Sequence, residues 1–167
     1  MTTQRLRSVK REIRVLGVAA GRVGEDSIIV GVVYRGSRWL DGVLKTAARG
    51  ADLTDALIGM VKGSPHSGQI RVILLSQDKM PPDTIVSIER LHAETDKPTI
   101  MLHTKGSSEN APFTWRRGGE SVGFSAVGVS RWTAEEVLQT ASGDSLVPEA
   151  LRVADMTLSA LLATEQT

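Results

Sequence analysis

Apolar and polar positions alternate between two periods along this chain. "IRVLGVAA" (residues 13–20) is a nearly continuous apolar run, which predicts a buried strand, and "GRVGED" then turns the chain. "SIIVGVVYRGS" (27–37) is β-branched and apolar, and suits a central strand. "RWLDGVLKTAA" (38–48) follows almost at once; connections this short predict antiparallel neighbours. The period then becomes helical. Leu53, Leu57, Met60 and Val61 share a face, with Asp52 or Thr54 available to cap the start. "QIRVILLSQ" (69–77) reads as a strand. "PPDTIVSIERLHAETDKP" reads as a helix entered at its proline pair, with Ile85, Ile88, Leu91 and His92 inward. "TIMLHT" (99–104) is a strand, and residues 105–120 read as a loop. "SVGFSAVGVS" (121–130) is a further strand. A capping box from Thr133 to Glu136 opens the next helix. The last helix, "PEALRVADMTLSALLA", has Pro148 in its first turn and Leu151, Ala154, Leu158, Leu161 and Leu162 on its core face.

The predicted order is β-β-β-α-β-α-β, then β-α-α. Three antiparallel strands followed by βαβαβ give an α/β fold, a ribonuclease H-like mixed sheet with helices on both faces. The first strand then lies beside the fourth. Ala19 and Ala20 adjoin Ser76 and Gln77, and Asp52 and Asp55 overhang them from the first helix. Nucleases of this fold gather carboxylates at that junction to hold two divalent metals.

A length of 167 residues suits one domain, expected over 13–167 behind a basic arm at 1–12. At 41% hydrophobic and 23% charged the chain is globular, and its net charge of +1 points to no partner by itself. Without cysteine there is no disulfide, thiolate nucleophile or Cys-ligated zinc. No apolar run is long enough for a membrane span and the basic N-terminus has no apolar signal core, so a cytoplasmic protein with no membrane partner is expected.

"KREIRVLGVAAG", "VGVVYRGSRWLDGVLKT", "IRVILLSQ" and "VPEALRVAD" resemble the archaeal domain-of-unknown-function family ninety-nine, itself similar to endonuclease V, which cuts beside deaminated purines. The resemblance runs over roughly residues 9–162, and "RGSRWLDGVL" is its most specific stretch. It implies a ribonuclease H-like fold. It also implies an acid pair in the first strand (VLGIDDG), an acid ending the fourth (LLDG), an acid on the first helix, and a His in an LRIAH-like motif. Here the first two positions are Ala19 and Ala20, the third is Ser76, the helix acid is matched by Asp55, and the His is replaced by Asp155.

Mg²⁺ at such a site is held by carboxylates and substrate phosphates. Two methyl groups and a hydroxyl do not supply that, so no catalytic set, metal or cofactor is expected. The expected function is a catalytically silent, endonuclease-V-like protein that binds structured RNA or DNA, or a nucleoprotein assembly. The alternatives are a regulatory subunit that binds protein or a second copy through the same fold, and a divergent Mg²⁺-dependent endonuclease using Asp55, Asp78, Asp155 and His103.

Candidate contacts are cationic. Arg5, Arg7, Lys10, Arg11 and Arg14 against Glu12 give the N-terminus a local charge of +4, either a phosphate-binding arm or a solvated terminus. Trp115 beside Arg116 and Arg117, with Lys105 in the same loop, suits base stacking with phosphate contact. The competing reading folds Trp115 onto the core or into an interface. Arg35, Arg38 and Trp39 form a hairpin tip that touches a partner or protects an edge. Asp41 reads as a turn or bulge aspartate beside Gly42. His66, His92 and His103 have no metal-ligand spacing, and no GxGxxG, GK[ST] loop or GxSxG occurs.

Overall fold

The computed structural model describes residue 6, residues 8–103 and residues 111–165. Seven strands, β1 (Arg14–Val23), β2 (Asp26–Arg35), β3 (Trp39–Arg49), β4 (Val72–Ser76), β5 (Thr99–Leu102), β6 (Phe113–Arg117) and β7 (Glu120–Val127), form one sheet ordered β3-β2-β1-β4-β5-β7-β6. β1, β4 and β5 run parallel, and the remaining neighbours are antiparallel. Parallel pairing needs long crossovers, supplied by α1 (Thr54–Gly63) and α2 (Ile88–Thr95). α3 (Arg131–Ala141) and α4 (Glu149–Glu165) follow the last strand. This is the mixed α/β sheet the element order predicts.

The sheet is apolar on both faces because strand residues point alternately to each. Leu16, Val18 and Ala20 pack toward Leu57 and Val61 of α1 and Leu91 of α2. Val15, Val72 and Ile100 pack toward Val137, Leu138 and Leu151 on the other face, where Ala19 meets Ala154 and Leu158 of α4. The seat of α4 depends on Gly17: a Cβ there would lie 2.4 Å from the carbonyl carbon of Ala150.

Three expectations are corrected. The helix after β4 starts at Ile88, not at the prolines. Asp83 has φ 67°, Ile85 is 62% exposed rather than inward, and Ser87 is the true cap, its hydroxyl accepting from Arg90 N at 3.2 Å. A β-branched run, "TIV", keeps the chain extended up to that cap. Residues 105–120 are not all loop: β6 lies within them and joins β7 through Gly118 and Gly119, both at positive φ. The α3 cap is Ser130, which accepts from Thr133 N at 3.2 Å, so the helix starts before the Thr133–Glu136 box.

Candidate nucleic-acid interface

β1 and β4 pair Val15 with Val72, Leu16 with Ile73 and Gly17 with Leu74, a register that sets Ala19 level with Ser76. The junction therefore forms where the sequence places it. It is lined by Ala19, fully buried, and by Ala20 and Ser76, nearly so. A 3-10 turn, Gln77–Lys79, continues from β4 and lies against β1.

Asp155, Asp55 and Asp52 each have a partner. Asp155 follows Ala154 on α4 and accepts from Lys79 Nζ at 3.1 Å. Asp55 accepts from Arg90 at 2.6 Å on an exposed surface. Asp52 accepts from Thr54 N at 3.0 Å, and bonds to Thr54 hold its carboxyl below the ordinary value. Asp78 sits in the 3-10 turn. His103 follows β5; its Nε2 lies 2.6 Å from Ser125 Oγ, and burial lowers its pKa. Among the described residues no group of three or more His, Asp or Glu side chains converges on a point that could hold a metal ion. The donors at the junction, one neutral hydroxyl between two alanines, do not fit the divalent ions this fold implies.

Beside the junction is a cavity of about 300 Å³ that brings together Ser76, Asp78, Lys79, His103 and Glu120, with Ser121, Leu146 and Leu151 also in its lining. One wall is fixed by Arg117, which donates to the carbonyls of Gly143, Ser145 (3.0 Å) and Gln139 (3.3 Å) and stacks on Trp115 at 5.4 Å. Trp115 is only 5% exposed, so it is a core residue of an edge strand and not a stacking platform in a loop. Arg117 is likewise a brace, and Arg116 alone of that trio faces solvent. The turn signal "RGGE" is the cue that reveals β6.

At the other end of β1, Asp41 occupies the register shift between β2 and β3, as its bulge reading expects, and accepts from Arg14 and Arg35, each at 2.9 Å. Those bonds, that to Arg35 foremost, hold the Asp41 carboxyl low. Arg38, Lys10 and Arg11 are exposed at the same end. Arg5, Arg7 and Lys105 lie outside the described residues. Sequence reading passed over Trp132, 68% exposed with Arg131 stacked on it at 4.9 Å, and over Arg71 and Lys97, which share a surface depression.

Residues 11–112 match the endonuclease dU family. The UPF0215 protein of Methanothermobacter thermautotrophicus is 32% identical over 188 aligned positions, covering 95% of this chain and 92% of that one. A UPF0215 protein of Methanopyrus kandleri is 42% identical over 103 residues, 59% of this chain and 52% of its own length. A protein of unknown function from Archaeoglobus fulgidus has a similar structure, with a TM-score of 0.73 at 24% identity over 89% of this chain and 97% of that one. Endonuclease V from Streptomyces avermitilis gives 0.65 at 14% identity, over 92% and 83%. The endonuclease-V-like fold and the likeness to archaeal proteins expected from the motifs both stand on these similarities. No helix of the described residues is long and apolar enough to cross a membrane.

Proposed function

The chain belongs to the endonuclease dU family, and from that premise we propose that it binds nucleic acid without cutting it. One observation carries the reading: the strand-end junction is built of Ala19, Ala20 and Ser76, while Asp55 and Asp155 are each held by a cation. In-line phosphodiester hydrolysis by two metals needs carboxylates that fix the ions and complete their shells. A junction without those carboxylates lacks that floor, and it also repels an approaching phosphate less. Shape complementarity to nucleic acid can then outlast the chemistry. In the same reading residues 1–12 form a basic arm on a single domain of residues 13–167, and the compartment is the cytoplasm.

The test is fluorescence anisotropy with labelled single-stranded, duplex and branched DNA and RNA, including deoxyuridine- and inosine-containing strands, at two salt concentrations with and without Mg²⁺. The same samples then go onto a denaturing gel. Binding that weakens with salt, over intact strands, is expected. Mg²⁺-dependent cleavage that disappears in Asp55→Ala overturns the reading and returns the protein to the nucleases. Exposed Trp132 favours one other reading, a protein-binding subunit, since tryptophan is a common interface hot spot. Absence of binding to any strand would select it.

A further inference from the structure

We propose that the surface at the N-terminal ends of β1 and β4, the opposite end of the sheet from the alanine junction, is a phosphodiester-binding surface built from Lys10, Arg14, Arg71 and Lys97. The inference rests on the nucleic-acid reading above and locates the contact. Five to six residues of β1, about 18 Å, separate Arg14 from the junction.

Two depressions meet here. One, of about 500 Å³, is lined by Lys10, Arg14 and Arg71, and the other, of about 190 Å³, by Arg71 and Lys97. They share Leu6, Gly68 and Arg71, so the four cations border one continuous surface. The fold brings them together from three separate segments. Arg71 N donates to Arg14 O at 2.9 Å, which fixes the two backbones side by side, and Lys97 Nζ donates to Ile70 O at 2.9 Å.

Charge favours a polyanion. Among the described residues lining the depressions, the carboxylates are Glu12 and Asp96 against Lys10, Arg14, Arg71 and Lys97. Arg11, Arg35 and Arg38 adjoin them with Asp41. Among these described residues seven cations stand against three carboxylates, a local +4 in a chain whose formal net charge is +1. Burial and the nearby Arg71 charge both lower the Lys97 pKa, so these two cations are close enough to repel. An anion seated between them relieves that repulsion. A row of cations over two connected depressions matches a phosphate repeat better than one small anion, and the sheet end offers no aromatic side chain for base readout among the lining residues.

The experiment is salt-dependent anisotropy of a labelled single-stranded DNA and the same RNA sequence. It compares the full chain with Lys10→Ala, Lys10→Ala/Arg71→Ala, Lys97→Arg, and Arg49→Ala at the opposite end of β3. Each lost phosphate contact flattens the log–log salt slope by about 0.7 on a single strand, so the double variant should lose about 1.4. Lys97→Arg keeps the charge and should retain the slope, as should Arg49→Ala. Lys10 is exposed, so Lys10→Ala reads the surface even if Arg71→Ala perturbs folding. A parent slope that survives in both alanine variants overturns this assignment and leaves the nucleic-acid reading standing. A parent that binds neither these single strands nor the duplex and branched strands named above overturns both. Equal displacement of the bound strand by polyglutamate reassigns the surface to an acidic protein and overturns the proposal.

Discussion

The two ends of the sheet differ in what the same strands present. At the C-terminal ends of β1 and β4, where open α/β sheets usually hold ligands, Ala19, Ala20 and Ser76 are buried, Asp155 and Asp55 are each paired with a cation, and Asp78 and Glu120 line the adjoining cavity. At the N-terminal ends, cations line open depressions and one carboxylate, Asp41, gathers two arginines. The difference teaches that a fold's habitual site is a position and not a guarantee. Side chains decide what charge that position carries, and here the cations gather at the opposite end.

The sharpest way to break this comparison is to put a carboxylate into the closed end. Ala19 is fully buried against Ala154 and Leu158, so Ala19→Asp should lower unfolding free energy by about 5 kcal/mol, the cost of an unpaired charge in a packed site. Urea denaturation measures it. A variant as stable as the parent would mean that the junction is open to solvent. Next in size is Trp115→Ala, expected to cost about 4 kcal/mol because the indole is core packing. A variant that keeps its stability and loses only nucleic-acid affinity would restore Trp115 to a binding role and weaken the contrast between the two ends.

How much of this was legible follows from the kind of signal involved. The β1–β4 juxtaposition could be read because crossover rules leave few topologies, and the junction residues are then fixed by strand-end position. The bulge at Asp41 could be read from its place beside Gly42. β6 was missed because five residues give too short a period to register, although Gly118–Gly119 marked the hairpin. Trp115 stayed open between a stacking and a core role for the same reason: a tryptophan assigned to a loop looks available, while one on a strand has a face to bury, and the core reading is the one the burial bears out. The late start of α2 was hidden by prolines that mimic a helix entry but precede a residue at positive φ. The cationic surface was half legible. The arm stands out in sequence, but Arg71 and Lys97 join it only through tertiary packing, which no local pattern carries.

Asp41→Asn is the gentlest test and bears on the open end. The side chain is 13% exposed, and its partners Arg14 and Arg35 are 32% and 40% exposed, so solvent screens the pairs and the expected loss near neutral pH is about 1 kcal/mol. Because the Asp41 carboxyl is held below its ordinary value, its contribution is present in full above the unfolded value of about 3.9 and vanishes as pH falls through the lower folded value. The stability gap between parent and variant should therefore be flat from neutral pH down to about pH 5 and close below about pH 4. A gap that persists in acid would assign the effect to packing at the bulge. The same substitution leaves Arg14 and Arg35 without their carboxylate partner. If this end binds phosphate, Asp41→Asn should tighten oligonucleotide binding and steepen its salt dependence while it destabilises the fold. Opposite signs for stability and affinity are what a carboxylate at a cationic binding surface produces; a purely structural aspartate would lower both or leave affinity unmoved.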